Sequence, residues 1–291
     1  MICWHICYYV VRTPLYHLCK EKKDETLRII KTDKASDKVF SFVYFVIINI
    51  YGYKVLLDTP YLPPMMGGSS DFSKMWTQYP YISTEKWYDN MKFYYLVTLG
   101  YHINAMRVVI WAWCIGKSKN DWCEMTLHHM LTIILYAFSY IQCFVEIGAL
   151  IMFLHDWSDI WSPFTKIWVE TDYKKLTVFG AAMTWITWVY SRIIIFPQII
   201  YFGVFCFPLD NAFPNWNTPG HLDKEKKENA WFFLCVLGVF LSFLQILHVY
   251  WIHMLTKAIS KVAFGGLKEV TDPQERTEDW IRKKKKNLIV K

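Results

Sequence analysis

The stretch that decides the fold is residues 121–161, DWCEMTLHHMLTIILYAFSYIQCFVEIGALIMFLHDWSDIW. It contains two apolar runs close to the length of a membrane-spanning helix, and these are separated by a short polar break at Gln142–Cys143. Five ionisable side chains lie within these runs: His128, His129, His155, Asp156 and Asp159. An aspartate at the centre of a membrane helix costs on the order of 2.5–3.5 kcal/mol, so such groups usually face a cavity or a partner. The stretch therefore predicts a helical hairpin with a polar site between its arms.

The spacing of these groups predicts that they meet. In an antiparallel hairpin that turns at the polar break, the two neighbouring histidines lie level with residues 157 and 158, close to both aspartates. The aspartates are three residues apart and can share one helix face, whereas the histidines point about 100° apart. We interpret four side chains as catalytic: His128, His129, Asp156 and Asp159. His155 shares a face with the second aspartate and is a candidate for a supporting role.

Simpler interpretations compete with a catalytic site. A single histidine in a membrane helix often bonds a backbone carbonyl, and a single aspartate can hold two helices together. The first interpretation could apply to His155 alone, whereas a histidine pair level with two aspartates favours chemistry. A zinc site from two His and two Asp is conceivable, but zinc-binding helices usually space their histidines as in H-E-x-x-H. We therefore expect no metal, and the eight scattered cysteines form no zinc-binding pattern.

The composition indicates a membrane protein. Of the 291 residues, 54% are hydrophobic and 19% aromatic, and the mean hydropathy is positive, which exceeds the apolar content of ordinary soluble domains. The net charge of +7 could indicate a nucleic-acid partner. Because no basic patch interleaved with stacking aromatics lies outside the apolar runs, we exclude nucleic acid. We assign the positive charge to loops that face an anionic lipid leaflet.

Hydropathy predicts an all-α polytopic membrane protein, a six-span helical bundle around a central cavity. The predicted spans are 39–57, 91–115, 125–141, 144–162, 176–205 and 230–255. Residues 58–90 are predicted to be a loop with a re-entrant or interfacial aromatic part, and residues 163–175 a polar loop. The resulting domains are a cytosolic N-terminal segment (1–37), a six-span catalytic domain (38–258) and a basic cytosolic tail (259–291). Residues 1–11 are either an interfacial segment or the remnant of an extra span.

The distribution of Lys and Arg predicts the orientation. With the N-terminal segment in the cytosol, 23 of these residues fall in cytosolic parts and 5 in the opposite loops, as the positive-inside rule requires. Both ends of the bundle are then cytosolic. By the helix rise of 1.5 Å per residue, the polar groups of the hairpin lie about 5–9 Å inside the cytosolic surface. A water-soluble cosubstrate could reach them there while lipid chains occupy the apolar interior.

The hairpin resembles the Lag1 motif of ceramide synthases, which belong to the TLC (TRAM-LAG-CLN8) family of membrane proteins. The resemblance rests on NDWCEMTLHHMLTIIL (120–135), FSY (138–140) and LHDWSDIWSPFTK (154–166). It extends in the family's order to WTQYPYI (76–82), SRIIIFP (191–197) and LQILHVYW (244–251). The chain departs from the family where the basic entry to the motif is softened to KSKND (117–121).

This resemblance implies a TLC-type six-span bundle in the endoplasmic reticulum membrane. It implies that a fatty acyl group moves from acyl-CoA to the amino group of a sphingoid base, sphinganine or sphingosine. The implied partners are fatty acyl-CoA as cosubstrate, the sphingoid base, membrane lipids and a second subunit in a homo- or heterodimer, with no other cofactor. It also suggests supporting roles for three residues: His155, Tyr140 and Arg192. Arg192 is either a clamp for the CoA phosphates or the ion-pair partner of an aspartate, and its depth favours the ion pair.

Two chemical schemes and two other functions stay open at this stage. A histidine either deprotonates the amine in a ternary complex or attacks the thioester and carries the acyl group. His128 lies nearer the mouth than His129 and is the favoured reacting group, and the aspartates would orient the imidazoles. A non-catalytic TLC protein with a lipid-sensing or translocon-associated role is the first alternative. A metal-dependent lipid hydroxylase is the second, although its multiple H-x-x-H boxes are missing from the sequence.

Overall fold

The structure is a computed structural model that describes residues 2–19, 24–76, 88–116, 122–171, 173–206 and 224–265. Within these ranges every regular element is a helix, and one isolated bridge joins Cys19 to Thr171. Apart from two short 3-10 turns, the helices are α1 (Ile2–Leu18), α2 (Glu25–Leu56), α3 (Tyr88–Cys114), α4 (Trp122–Ile141), α5 (Val145–Asp159), α6 (Trp161–Val169), α7 (Lys174–Cys206) and α8 (Lys224–Gly265). The predicted all-α class is confirmed. The motif KSKND and the tail after residue 265 lie outside the described ranges.

Three of the described helices are long and apolar enough to cross a membrane: Glu25–Leu56, Lys174–Cys206 and the Trp231–Ser260 part of α8. They contain predicted span five, and all but one terminal residue of predicted spans one and six. The other predicted spans fall on α3, α4 and α5, and α5 is only 15 residues long. The helices thus support a multi-pass membrane protein, while the count of six spans and the domain boundaries stay predictions.

The charged N-terminal segment is mostly helical where the structure describes it. Residues 25–38 are the first 14 of the 32 residues of α2, and residues 2–18 form α1, which packs along α2. Arg12 Nε donates to Asp33 at 2.7 Å, and the guanidinium of Arg28 donates to the carbonyl oxygen of Tyr16 at 2.8 and 3.1 Å. Several charges of this segment therefore hold α1 against α2.

The hairpin between α4 and α5 turns where the sequence predicts it. Cys143 adopts a left-handed backbone conformation with φ of 61°, which few residues other than glycine favour. The N–H of Phe144 donates to the Ser139 carbonyl at 2.7 Å, and the N–H of Cys143 donates to the Tyr140 carbonyl at 3.3 Å. This pair of bonds is the Schellman arrangement, which satisfies the last carbonyls of a helix and reverses the chain. It sets α5 antiparallel to α4.

The prediction of a polar loop at 163–175 is wrong for its first half. α6 spans Trp161–Val169 and follows α5 after one turn residue, Ile160. Pro163 lies in the first turn of α6, where a missing N–H leaves no helical hydrogen bond unmade. The proline therefore starts a helix here, whereas the sequence pattern predicts a loop that begins at this residue.

The segment between α2 and α3 covers the end of the bundle that holds the hairpin turn. Its aromatic and aliphatic side chains are buried: Tyr61, Leu62, Met66, Phe72, Met75 and Trp76. The indole N–H of Trp76 donates to the Gly203 carbonyl at 2.9 Å, and its ring lies 5.5 Å from that of Phe144. We call residues 57–76 the plug. The rest of the predicted loop, residues 77–87, lies outside the described ranges.

α7 departs from α-helical geometry where its polar residues lie. Two segments, Val189–Ile195 and Ile199–Cys206, are π-helical, and Pro197 lies between them. The N–H of Phe196 bonds the Ser191 carbonyl, five residues back. Proline lacks an N–H and collides with the carbonyl four residues before it, so the helix widens around Pro197. The widened stretch contains Arg192 and turns its side chain toward α5, as its contacts below show.

Candidate active site

A cavity lies between α3, α4, α5 and α8, with about 570 Å³ of empty space that includes its opening to solvent. One end is polar and the other is mostly apolar. The polar end is lined by His102, His128, His155 and Asp159. The remaining lining residues are Tyr95, Thr132, Leu135, Tyr136, Ser139, Ile147, Gly148, Ile151, Met152, Leu237, Leu241 and Leu244. We call the polar end the histidine end and the part lined by the remaining residues the apolar channel.

The structure brings one histidine of the pair to the cavity and turns the other away. His128 lines the cavity, whereas His129 is not among the lining residues and packs on His102 with ring centroids 5.8 Å apart. The His128 ring packs edge-on against Trp251, with centroids 5.2 Å apart. Both histidines are buried, and neither Nδ1 atom has a hydrogen-bond partner among the described residues. His128 is therefore the member of the pair that faces the cavity.

The two aspartates also separate. Asp159 lines the cavity and keeps 27% of its side chain exposed. Asp156 lies one turn deeper and is 1% exposed, and it accepts a hydrogen bond from the Tyr94 hydroxyl at 3.4 Å. Tyr94 is itself fully buried. Asp156 thus lies among the packed side chains behind the cavity and does not line it.

Arg192 is the cation of this site. Its guanidinium forms an ion pair with Asp159, donates to Ser158 Oγ at 2.9 Å and donates to the His155 carbonyl at 3.1 Å. It also lies 3.8 Å above the ring of Trp188, a cation–π contact. A buried guanidinium needs an opposite charge and hydrogen-bond acceptors, and a cation is favourable at the carboxyl end of α5. Arg192 is 2% exposed, it forms an ion pair with Asp159, and its Nε and Nη2 atoms donate to acceptors on α5.

His155 is held by two partners. Its Nδ1 lies 2.7 Å from the Ile151 carbonyl, which can only accept, so Nδ1 carries the proton. Its Nε2 lies 3.1 Å from Nε2 of His248. In a neutral pair His248 is then the donor, and its own Nδ1 has no partner among the residues that the structure describes. The Trp188 indole donates to the His248 carbonyl at 3.4 Å, which ties this pair to the Arg192 contacts.

The structure does not bring Tyr140 to the histidines. Tyr140 lies 12 residues after His128 on α4, about 18 Å away by the helix rise. Its ring packs against Tyr95, with centroids 6.0 Å apart. Tyr140 therefore lies at the hairpin end of the bundle, away from the histidines, and its supporting role stays a prediction.

Several site residues were missed by the sequence analysis. They are His102, Tyr94, Ser158, Trp188 and His248. His248 lies in the motif LQILHVYW, so a signal existed, but no spacing within the hairpin points to a residue 93 positions away. His102 is a lone histidine in α3, and only the packing of α3 against α4 places it beside the pair.

The described side chains form no group of three or more His, Cys, Asp or Glu arranged to hold a metal ion. The cluster instead contains imidazoles with unpartnered nitrogens, one carboxylate paired with a guanidinium, and an adjoining apolar channel. Such a site can bind a long aliphatic chain and place its polar end against an imidazole, which can act as a base or a nucleophile.

Comparisons with known proteins point to one family. The profile of the TLC domain family matches residues 34–257. Ceramide synthase 5 of Mus musculus is 27% identical over 245 residues, which are 80% of this chain and 49% of the relative. Ceramide synthase 3 of Homo sapiens is 24% identical over 259 residues, 85% of this chain and 56% of the relative. Ceramide synthase LOH2 of Arabidopsis thaliana is 27% identical over 194 residues, 65% of this chain and 60% of the relative.

The chain spans about half the length of the curated relatives that it matches. The family profile includes all the residues that line the cavity, because these lie between positions 95 and 244. The family profile covers most of the chain, and the chain therefore belongs to the TLC domain family.

Proposed function

We propose that the protein is a ceramide synthase-type N-acyltransferase, which moves a fatty acyl group from acyl-CoA to the amino group of a sphingoid base. One observation carries this proposal: His128, His155 and Asp159 share a cavity with an apolar channel. An acyl-CoA has the same division, with a polar thioester end and an aliphatic chain. The names of the curated relatives, ceramide synthases from animals and a plant, support the same reaction.

The balanced reaction forms one amide bond and breaks one thioester bond. The nitrogen of the sphingoid base attacks the thioester carbonyl, the C–S bond breaks, and coenzyme A leaves as the thiol. The attacking amine must lose a proton, which the thiolate finally takes up. His128 is the group that we assign to this proton transfer, because it lines the cavity and its ring is not tied by a hydrogen bond at Nδ1 within the described residues.

A two-step route uses the same residues. The His128 imidazole attacks the thioester, the C–S bond breaks and an acyl-imidazole forms while coenzyme A leaves. The amine then attacks this acyl group, and the C–N bond to the imidazole breaks. The two routes differ in kinetics, since only the second releases coenzyme A before the sphingoid base binds.

Asp159 and Arg192 supply the fixed electrostatics in either route. The carboxylate faces the cavity and can stabilise an imidazolium as it forms, and the guanidinium keeps that carboxylate in place. His155 is held on both sides, by Ile151 and by His248, so it serves to orient groups at the histidine end. No cofactor takes part in this proposal other than acyl-CoA as cosubstrate.

The proposed activity also fits the proposed location. We propose that the protein is a multi-pass protein of the endoplasmic reticulum membrane with both ends of the bundle in the cytosol, as the distribution of Lys and Arg supports. The histidine end then faces the cytosolic side, where coenzyme A is dissolved. Membrane lipids and a second TLC subunit in a dimer are the further partners in this proposal.

The deciding experiment is acyl transfer by the purified full chain with long-chain acyl-CoA and sphinganine. We expect an amide product that is lost in His128→Ala and reduced in Asp159→Asn. His253→Ala is a matched control, because this histidine is exposed on α8 and outside the cavity. Product formed equally by His128→Ala would refute the site assignment. Absence of product with every acyl-CoA would instead favour a non-catalytic, lipid-binding TLC protein.

A further inference from the structure

We propose that Tyr95, Ser139 and Gly148 form the floor of the apolar channel and thereby set the length of the acyl chain that the protein accepts. This inference rests on the proposed acyl transfer, since it identifies the part of the same cavity that limits the length of the acyl chain. The three residues come from α3, α4 and α5, and all three line the end of the cavity farthest from His128 along α4 and from Asp159 along α5.

A hydrogen bond closes the floor. The hydroxyl oxygens of Tyr95 and Ser139 lie 3.2 Å apart, and Ser139 in turn donates to the Tyr136 carbonyl at 3.1 Å. Tyr95 is therefore the donor to Ser139. Both side chains are buried, with 2% and 4% of their surface exposed. This buried hydrogen bond between two helices holds the phenol across the channel, because breaking it would leave the buried Tyr95 hydroxyl without its hydrogen-bond acceptor.

Gly148 makes room for the phenol. A β-carbon at this position would lie 1.5 Å from the Tyr95 hydroxyl oxygen and 3.1 Å from Ser139 Oγ. The Tyr95 hydroxyl thus occupies the space that any other side chain at position 148 would take. Only glycine lets the phenol cross from α3 to the backbone of α5.

Dense packing continues beyond the floor. The Tyr95 ring packs against those of Tyr136 and Tyr140, with centroids 5.9 and 6.0 Å apart. Behind Ile147, another lining residue, a β-carbon on Gly203 would lie 3.0 Å from Met75 of the plug. Among the residues that the structure describes, the channel therefore ends at this floor.

The distance from the reacting end to the floor gives a chain length. His128 and Ser139 are 11 residues apart on α4, and Asp159 and Gly148 are 11 residues apart on α5. Both helices therefore give a depth of about 16 Å from the helix rise. An extended chain advances about 1.25 Å per C–C bond, from a bond of ~1.5 Å at a near-tetrahedral angle, so this depth holds about 13 bonds. We expect a preference for saturated acyl chains of about 14 carbons.

The test is competition among saturated acyl-CoAs of increasing length, with sphinganine as acceptor and mass spectrometry of the amides. A graded series at Tyr95 opens the floor stepwise. Tyr95→Phe keeps the ring and should shift the preferred length by at most about one carbon, whereas Tyr95→Ala removes roughly 5–6 Å of side chain and should lengthen it by about four carbons. Tyr95→Leu should fall between them and is less damaging to packing if the alanine variant does not fold.

Phe138→Ala is the matched control. Phe138 is the neighbour of Ser139 on α4, but its ring packs on Phe233 and does not line the cavity. Its removal should leave the preferred length unchanged. Adding Gly148→Ala to Tyr95→Ala should place a methyl group in the vacated space and shift the preferred length back toward that of the unmodified protein.

A second measurement separates this inference from the proposed function. Thermal stabilisation of each variant by the same acyl-CoAs reports binding without turnover, and the best-stabilising length should move as the product length does. An unchanged length preference across folded Tyr95 variants, in product and in stabilisation, would overturn the floor assignment while the acyl transfer stands. If the unmodified protein forms no amide yet the stabilising length shifts with Tyr95, the transferase proposal fails and the floor remains.

Discussion

Asp156 and Asp159 lie three residues apart on α5, yet the fold gives them opposite surroundings. Asp159 faces the cavity, keeps 27% of its side chain exposed and forms an ion pair with Arg192. Asp156 is 1% exposed and accepts a hydrogen bond from the phenol of Tyr94. A carboxylate with a cation and access to a substrate suits chemistry, whereas one held by a neutral donor in packed surroundings suits positioning. Two aspartates with D-x-x-D spacing can therefore have different roles.

The largest effect is expected from removing the cation. Arg192→Met should lower the free energy of unfolding by about 3–5 kcal/mol and abolish acyl transfer, because it leaves the Asp159 carboxylate without its charged partner. Thermal unfolding of the purified protein, followed by tryptophan fluorescence, measures the first effect. The control is Arg107→Met, since Arg107 is exposed and bonds only Asn104 on its own helix among the contacts described. Equal stability of the two variants would show that the ion pair does not hold the site.

The next effect comes from neutralising the aspartate that faces the cavity. Asp159→Asn should reduce stability by about 1.5–3 kcal/mol, since it replaces a charge-assisted hydrogen bond to Arg192 with a neutral one. It should also lower acyl transfer by about 10²-fold or more, because the carboxylate that stabilises the imidazolium is gone. Steady-state rates with sphinganine and a long-chain acyl-CoA provide the measurement. Asp58→Asn, at an exposed position of the plug, should leave the rates unchanged.

A smaller effect is expected at the hydroxyl that serves the buried aspartate. Tyr94→Phe keeps the ring but removes the donor to Asp156, which should cost about 1–3 kcal/mol of stability. Tyr51→Phe, which removes the exposed bond of Tyr51 to the Asn90 carbonyl, is the matched control and should change stability by less than about 0.5 kcal/mol. If the two variants unfold at the same temperature, the Tyr94–Asp156 bond contributes nothing and the comparison weakens.

The smallest effect is expected from neutralising the buried aspartate. Asp156→Asn retains an amide oxygen that can accept from Tyr94 and removes a charge from low-dielectric surroundings, so stability should change by less than about 1 kcal/mol. The ratio of the acyl-transfer rates of Asp156→Asn and Asp159→Asn then tests whether the two aspartates have different roles. A loss of stability in Asp156→Asn as large as that in Asp159→Asn would mean that both carboxylates are charged and equally needed.

Much of the local architecture could be predicted from the sequence, because it depends on local patterns. The polar break at Gln142–Cys143 predicted the hairpin turn, and the structure confirms it. Hydropathy predicted the helices that now appear as α2, α7 and α8. The helix that contains Pro163 was not predicted. A proline occurs both after the end of a helix and in the first turn of the next one, and only the structure shows that Pro163 lies in a first turn. The helical continuation of the charged N-terminal segment was missed because its charges pair with each other across α1 and α2.

The candidate site was predicted less completely than the fold. The ionisable groups of the hairpin were identified, but the periodicity of a helix does not say which of two adjacent histidines faces a neighbour. Packing of α3 turns His129 toward His102 and leaves His128 in the cavity. Likewise, Tyr140 shares a motif with Ser139 but not a location with the histidines, since it lies on the hairpin end of α4.

The class of the protein, the antiparallel hairpin and the set of charged and imidazole groups within it could be predicted from the sequence, because hydropathy, turn residues and residue spacing act over one or two helix lengths. The packing of the helices was needed to show which of these groups share a cavity and which carboxylate is paired, and to identify the residues that we propose as the floor of the channel. Each of those outcomes joins residues far apart in sequence: Asp159 with Arg192, His155 with His248, and Tyr95 with Ser139 and Gly148. Such contacts depend on how whole helices pack, and a buried polar group takes whatever partner that packing brings to it.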